Sequence, residues 1–115
     1  MAASSSSGRH GAATWEVLVR EGRIVIRLTG EIDLDAVNGM NTALLAALGE
    51  HVRTGSLVEC DLSEVAYMDS TGFHMLVKLQ NFVEEATARI VLVRPSNQVR
   101  QILDIAGGGL FRIID

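Results

Sequence analysis

The amino-acid sequence predicts an α/β domain on a mixed β-sheet. An opening antiparallel hairpin is followed by parallel βαβ units, and the helices pack mainly on one face. Three observations predict this fold. The chain has 115 residues, of which 48% are hydrophobic, so it suits one packed core. Strand patterns alternate with helical periodicity in the order ββαβαβαβ. A helix between successive later strands implies right-handed crossovers and parallel pairing.

The first segments predict a tail and a hairpin. Residues 1–13 are rich in Ser, Ala and Gly without periodicity, so we expect a flexible tail there and an ordered domain over residues 14–115. Strand patterns at residues 15–19 and 24–28 flank Glu21-Gly22, which is typical of a tight hairpin turn.

The first predicted helix follows the hairpin. Either Asp33 or Asp35 can cap its first turn, because a carboxylate accepts hydrogen bonds from free backbone N–H groups. Gly39 within it costs about 1 kcal/mol relative to Ala, which indicates a packing reason. The core stripe of this helix is Val37, Met40, Leu44, Ala47 and Leu48.

The next strand, residues 57–62, alternates between two environments. Its apolar face carries Cys60, for which a small buried hydrophobe is the favoured interpretation and a reactive thiol the alternative. Glu59 on the other face indicates that one side of the sheet is partly open, and Arg27 is a candidate cross-strand neighbour.

The second half predicts two more helices and two strands. A helix after Ser70 has a core stripe, and residues 90–93 form an apolar strand of the kind that helices cover. Pro95-Ser96 then begins a helix that Gly107 ends, and residues 111–114 form a last strand. The stripe of the helix after Ser70 is Gly72, Met75, Leu76, Leu79, Val83 and Ala86.

Composition argues against several classes of function. The formal net charge of −4, without a basic run, argues against direct nucleic-acid binding, and no apolar stretch reaches the roughly 20 residues of a membrane span. The lone cysteine indicates a reduced, cytoplasmic setting. His10, His51 and His74 lack metal-site spacing, and no catalytic or cofactor-binding motif is present. We therefore expect a regulatory binding domain with no cofactor or metal rather than an enzyme.

Asp69-Ser70-Thr71-Gly72 is the most informative segment, because it lies between a strand pattern and a helical one. A hydroxyl there sits in the positive end of a helix dipole, an environment that tolerates phosphate. Ser70 is therefore either an ordinary cap or a phosphorylation switch.

Three segments resemble the STAS family of anti-sigma factor antagonists. Gly30-Glu31-Ile32-Asp33 before a helix is similar to its opening motif, and residues 60–65 with 67–72 resemble its most distinctive segment. Residues 103–107 with Leu110-Phe111 resemble its closing helix and strand. The likeness runs from about Trp15 to Asp115.

The resemblance implies a phosphorylation site at Ser70, with Thr71 as the neighbouring hydroxyl and Asp69 as the preceding acid. Asp33 matches an acid near the partner surface. The implied partners are an anti-sigma factor that often is also a serine kinase, and a metal-dependent serine phosphatase. The partner-binding set is Asp33, Asp69, Ser70, Thr71, Gly72 and Phe73.

Two questions stay open from the sequence. Phe73 and Val77 form either an apolar docking edge or plain core packing, and Phe73-His74 departs from the family pattern of Leu and a small residue. The glycine run near the end departs from it as well. A second function class is a STAS-type accessory subunit of a membrane transport complex, and the oligomeric state, monomer or weak dimer, is not determined.

Overall fold

The structure is a computed structural model that describes residues 5–115. Within that range, six strands and three α-helices follow one another along the chain. The strands are β1 Ser5–His10, β2 Ala13–Arg20, β3 Arg23–Ile32, β4 Leu57–Met68, β5 Arg89–Val93 and β6 Arg112–Ile114. The helices are α1 Leu34–Gly49, α2 Ser70–Glu85 and α3 Asn97–Ala106.

The strands form one sheet in the order β1-β2-β3-β4-β5-β6. The pairs β1/β2 and β2/β3 are antiparallel, whereas β3/β4, β4/β5 and β5/β6 are parallel. The predicted mixed sheet is therefore confirmed. The hairpin turn lies where the sequence places it, with positive φ at both Glu21 (49°) and Gly22 (80°), as the primed turns of tight hairpins require.

The core lies between one face of the sheet and the three helices. Side chains alternate along β2 and β3, so that Trp15, Val17, Ile24, Ile26 and Leu28 are buried beneath the helices. The predicted stripe of α2 is buried from Gly72 to Val83, and Ala86 is half-buried. The other face of the sheet carries charged side chains, as the pattern at Glu59 predicts. No helix within residues 5–115 has the length and apolar character needed to cross a membrane.

The structure corrects the prediction of a flexible tail at residues 5–13. Ser5–His10 forms β1, which pairs along its length with β2. Gly8 lies opposite Trp15, and a Cβ there would come within 2.5 Å of the indole Nε1. The His10 ring packs against α1, since a Cβ on Gly39 would lie 2.6 Å from its Nδ1, and this contact is the packing reason for Gly39. Residues 1–4 of the predicted tail lie outside the described residues.

Two details of β4 also differ from or sharpen the prediction. Glu59 pairs with Arg23 at 3.1 Å and not with Arg27, because the register places Arg27 opposite Asp61. Cys60 is fully buried, and its burial, assisted by the neighbouring Asp61 charge, raises the pKa of the thiol to about 12. The packing interpretation of Cys60 is confirmed, since a thiol with such a pKa is inert.

Candidate functional site

Two helices begin side by side at the carboxyl edge of the parallel strands. Ile32 at the end of β3 pairs with Met68 at the end of β4. The next residue in each case is an aspartate that caps a helix, Asp33 for α1 and Asp69 for α2. Of the two predicted caps of α1, Asp33 therefore fills the position, and its Oδ1 accepts from Ala36 N at 3.1 Å. The register thus brings both acids of the predicted set together.

The cap of α2 is Asp69 and not Ser70. Asp69 Oδ1 accepts two hydrogen bonds, from Thr71 N at 2.9 Å and from Gly72 N at 3.1 Å. Ser70 is the first residue of the helix and is exposed, and its hydroxyl has no hydrogen-bond partner within residues 5–115. The interpretation of Ser70 as an ordinary cap is therefore wrong. The fold leaves its oxygen free and accessible.

Gly72 lies at a close approach between α2 and the sheet. A Cβ at this position would lie 2.7 Å from Ile32 O and 2.6 Å from Met68 Cγ, so any larger residue would push the helix start outward. Gly72 is buried, and the close packing that it permits positions Ser70 at the start of α2. Its predicted place in the binding surface is corrected for that reason.

Phe73 also belongs to the core and not to the surface. It is 6% exposed, and its ring meets that of Phe111 edge-to-face at a centroid distance of 5.9 Å. This aromatic pair explains the departure from the expected Leu, because Phe111 supplies a matching ring. Core packing is thus the correct interpretation of Phe73, while Val77 is half-buried against the core and Thr71 half-buried at the helix start.

Two exposed apolar side chains lie next to the capping residues Asp33 and Asp69, and the sequence alone did not single them out. Leu34, the first residue of α1, is 57% exposed, and Tyr67, one residue before the end of β4, is 46% exposed. Leu34 lies off the buried stripe of α1, which is the signal that could have found it. Together with Asp33, Asp69 and Ser70 they form what we call the switch edge.

The third helix holds the switch edge in place. The Gln98 side chain accepts from Met68 N at 2.7 Å and donates to Met68 O at 3.1 Å, as a neighbouring strand would. Ser96, the cap of α3, donates to Val65 O at 2.8 Å. Both contacts join residues about 30 positions apart, so no local pattern indicates them. They fix the end of β4 immediately before Asp69.

The switch edge presents polar and apolar groups, and the part of the chain that the structure describes places no metal-binding cluster there. Within residues 5–115 no three His, Cys, Asp or Glu side chains gather into a metal-binding group. His74, one turn after Ser70, is exposed and lies beside the Phe73 ring. The accessible groups are a hydroxyl, two capping carboxylates and two apolar side chains.

Comparison with known proteins agrees with this architecture. The family model described as "Mlab, STAS domain" matches residues 18–110, so the chain belongs to the STAS domain family. A relative from Lysinibacillus sphaericus, named anti-sigma F factor antagonist, is 30% identical over 94 residues. The aligned region covers 82% of this chain and 78% of the relative.

Solved structures share the fold. The anti-sigma factor antagonist SpoIIAA in its unphosphorylated form has a TM-score of 0.72 and 24% identity, covering 88% of this chain and 87% of that one. The Bacillus cell fate determinant SpoIIAA in its phosphorylated form has a TM-score of 0.65 at 24% identity, with coverage of 88% and 90%. An anti-sigma factor antagonist from Mycobacterium paratuberculosis has a TM-score of 0.75 at 21% identity, covering 89% and 85%.

Proposed function

We propose that this protein is an anti-sigma factor antagonist that binds its partner through the switch edge and is released when Ser70 is phosphorylated. The partner is an anti-sigma factor with serine kinase activity, and a serine phosphatase restores the binding form. The observation that carries this proposal is the exposed Ser70 hydroxyl, which the fold does not use because Asp69 supplies the cap.

The relatives support the same function. The similar protein from Lysinibacillus sphaericus is named an anti-sigma F factor antagonist. One similar structure is described as SpoIIAA in its phosphorylated form, so that protein carries a phosphate in one state. The Ser70 hydroxyl at the start of α2 is the group to which we assign the phosphate in this chain.

Phosphorylation adds about −1.5 to −2 charges at neutral pH. The N–H groups of Thr71 and Gly72 already bond to Asp69, so the phosphate stays toward solvent instead of being absorbed by the first turn. Its charge then adds to those of Asp69 and the adjacent Asp33. The domain keeps its fold, and the cost arises when a partner must desolvate and face this concentrated charge.

Leu34 and Tyr67 give the unmodified surface its affinity. Both are exposed apolar side chains next to the capping acids, and such groups gain from burial in a partner pocket. Ser70 lies among them, and a phosphate there would hold the two surfaces apart. The switch edge therefore attracts the partner when Ser70 is unmodified and repels it when Ser70 is phosphorylated.

The experiment is a calorimetric titration of the purified candidate anti-sigma factor with the wild type, Ser70→Ala, Ser70→Asp and the control Thr71→Ser. We expect Ser70→Ala and Thr71→Ser to bind within about threefold of the wild type. Ser70→Asp should lose more than about a hundredfold, which corresponds to about 3 kcal/mol, while its melting temperature stays the same. Leu34→Ala should weaken binding without lowering the melting temperature.

Two outcomes contradict the proposal. An Ser70→Asp variant that unfolds, or that binds as well as the wild type, removes the switch. If no anti-sigma factor binds but a component of a membrane transport complex does, the chain is instead a STAS-type accessory subunit of such a complex.

A further inference from the structure

The face of the sheet that the helices leave uncovered carries most of the positive charge of this protein. Arg9 of β1 lies on this face beside Thr14, and strand alternation and the observed ion pairs place six further arginines between the hairpin turn and the level of Asp61. We call these six, together with the carboxylates of Glu16, Glu59 and Asp61, the arginine face. The six arginines are Arg20, Arg23, Arg27, Arg89, Arg94 and Arg112.

The charge of the arginine face is opposite in sign to that of the whole chain. Six of the nine arginines of a protein with a formal net charge of −4 lie on it, against three carboxylates. The remaining surface is therefore strongly acidic, and Glu31 and Glu64 lie at the far end of the sheet near the switch edge. Such segregation is an electrostatic feature of recognition rather than of folding.

Three of the six arginines, Arg23, Arg27 and Arg94, form ion pairs with carboxylates of the face, and the other three do not. Arg94 donates to Asp61 at 2.7 Å, and Arg27 lies between Asp61 at 4.0 Å and Glu16 at 3.7 Å. Within residues 5–115 no carboxylate lies within 4.0 Å of the side chains of the other three arginines on the face. These three are Arg20, Arg89 and Arg112.

The surface between the arginines is concave and partly apolar. A shallow cavity of about 160 Å³ at its centre is lined by apolar and cationic side chains as well as by Glu59 and Asp61. Guanidinium groups bind carboxylates in a bidentate fork, and apolar side chains between them bind apolar partners. The lining includes Leu18, Val25, Val93, Arg20, Arg27 and Arg94.

We propose that the arginine face docks an acidic polypeptide segment that carries apolar side chains between its carboxylates. This site is separate from the switch edge and does not rest on the function proposed above. The interspersed Glu16, Glu59 and Asp61 disfavour a continuous phosphate backbone. Among the described residues, the part of the face between the hairpin turn and Asp61 presents no aromatic ring on which a base could stack. Charge complementarity therefore favours a protein segment as the occupant.

The test uses a fluorescein-labelled 12-residue peptide of alternating Glu and Val, titrated with the full chain and followed by fluorescence anisotropy. We expect binding that weakens about tenfold between 50 and 300 mM salt, because the Debye length shortens. The triple variant R20Q/R89Q/R112Q should weaken it at least tenfold with unchanged melting. Single Arg20→Gln should weaken it measurably, while its matched control on α2, Lys78→Gln, should change it less than twofold.

The other outcomes overturn the assignment. Absence of peptide binding at millimolar protein does so directly, and so does tighter, arginine-dependent binding of a DNA oligonucleotide or of anionic phosphatidylglycerol vesicles. Sedimentation that shows self-association lost in the triple variant makes a second copy the occupant. If Ser70→Asp changes the affinity of the peptide more than threefold, the peptide binds at the switch edge and not on the arginine face.

Discussion

The starts of α1 and α2 occupy equivalent positions but carry different first residues. Each helix begins after a parallel strand with a capping aspartate, Asp33 or Asp69, and the first helical residue is exposed in both. In α1 that residue is Leu34, an apolar side chain, whereas in α2 it is Ser70, the hydroxyl that we propose as the phosphorylation site. One edge of the sheet therefore places an exposed apolar side chain beside an exposed hydroxyl, and our proposal makes the first a constant contact and the second a switchable one.

The two starts also differ in how firmly they are held. Asp33 accepts one backbone N–H, whereas Asp69 accepts two, and Gln98 brackets the residue before Asp69 from both sides. Gly72 lets α2 approach Ile32 closely. The start of α2 thus has more hydrogen-bond support than the start of α1, and none of these hydrogen bonds involves the Ser70 side chain.

The largest effect should come from removing the aromatic support beneath α2. Phe73→Ala deletes a buried ring that packs on Phe111, and we expect a loss of about 3 to 5 kcal/mol of unfolding free energy. Thermal and urea unfolding measure it, with exposed Asn81→Ala on the same helix as the control. A variant that melts like the wild type but loses its partner would return Phe73 to the binding surface.

A smaller loss of stability should follow from removing the two hydrogen bonds between the Gln98 side chain and the main chain of Met68. Gln98→Ala leaves a backbone donor and an acceptor without their partner, which should cost about 2 kcal/mol. The amide of Met68 should also exchange faster in hydrogen-exchange NMR. Gln101→Ala, exposed on the same helix, is the control, and equal behaviour of the two variants would remove the positioning role of Gln98.

The two capping aspartates should differ in how much they stabilise the fold, and the one that accepts more hydrogen bonds should contribute more. Asp69→Ala should cost about 2 kcal/mol and Asp33→Ala about 1 kcal/mol, since the first loses two bonds and the second one. Chemical denaturation of the two variants in parallel gives the comparison. A larger loss at Asp33 would reverse the order of support described above.

The smallest expected effect is the pH-dependent contribution of Asp61, on the arginine face, to the free energy of unfolding. Burial by itself would raise the pKa of Asp61, but hydrogen bonds from the Ser63 main chain and hydroxyl, and the Arg94 guanidinium, outweigh it and hold that pKa below its usual range. The ionised form is thus favoured in the folded state. Its stabilisation is present above about pH 4 and is lost as the pH falls through the lowered folded value.

Asp61→Asn tests this linkage. The difference in unfolding free energy between wild type and variant, about 1 kcal/mol near neutral pH, should be constant above pH 5 and shrink below pH 4. Urea unfolding between pH 3 and 7 measures it. A difference that grows in acid would mean that Asp61 titrates above its usual range.

The parts of the fold that depend on local patterns were predictable from the sequence. The stripe of α2, a cap of α1 at Asp33 or Asp35, and the end of α3 at Gly107 follow from periodicity and from the chemistry of helix ends, and the structure selects Asp33. The placement of Ser70 at the start of a helix follows in the same way. The resemblance to the STAS family then predicted that its segment is the functional one.

The remainder depends on contacts between distant segments. β1 has no hydrophobic pattern, and it forms because its backbone pairs with β2 and His10 packs over Gly39. The Gln98 bracket and the pairing of Glu59 with Arg23 arise from register, which the sequence of one strand does not reveal. The burial of Phe73 likewise depends on its contact with Phe111, which is distant in the sequence.

The most direct measurement of the central claim is quantitative mass spectrometry of the chain after incubation with the candidate anti-sigma factor and ATP, followed by binding of the separated forms. We expect one phosphate, on Ser70 and not on Thr71, and a phosphorylated form that melts like the wild type but binds more than a hundredfold more weakly. A phosphate elsewhere, or a phosphorylated Ser70 that leaves partner affinity intact, would contradict the account.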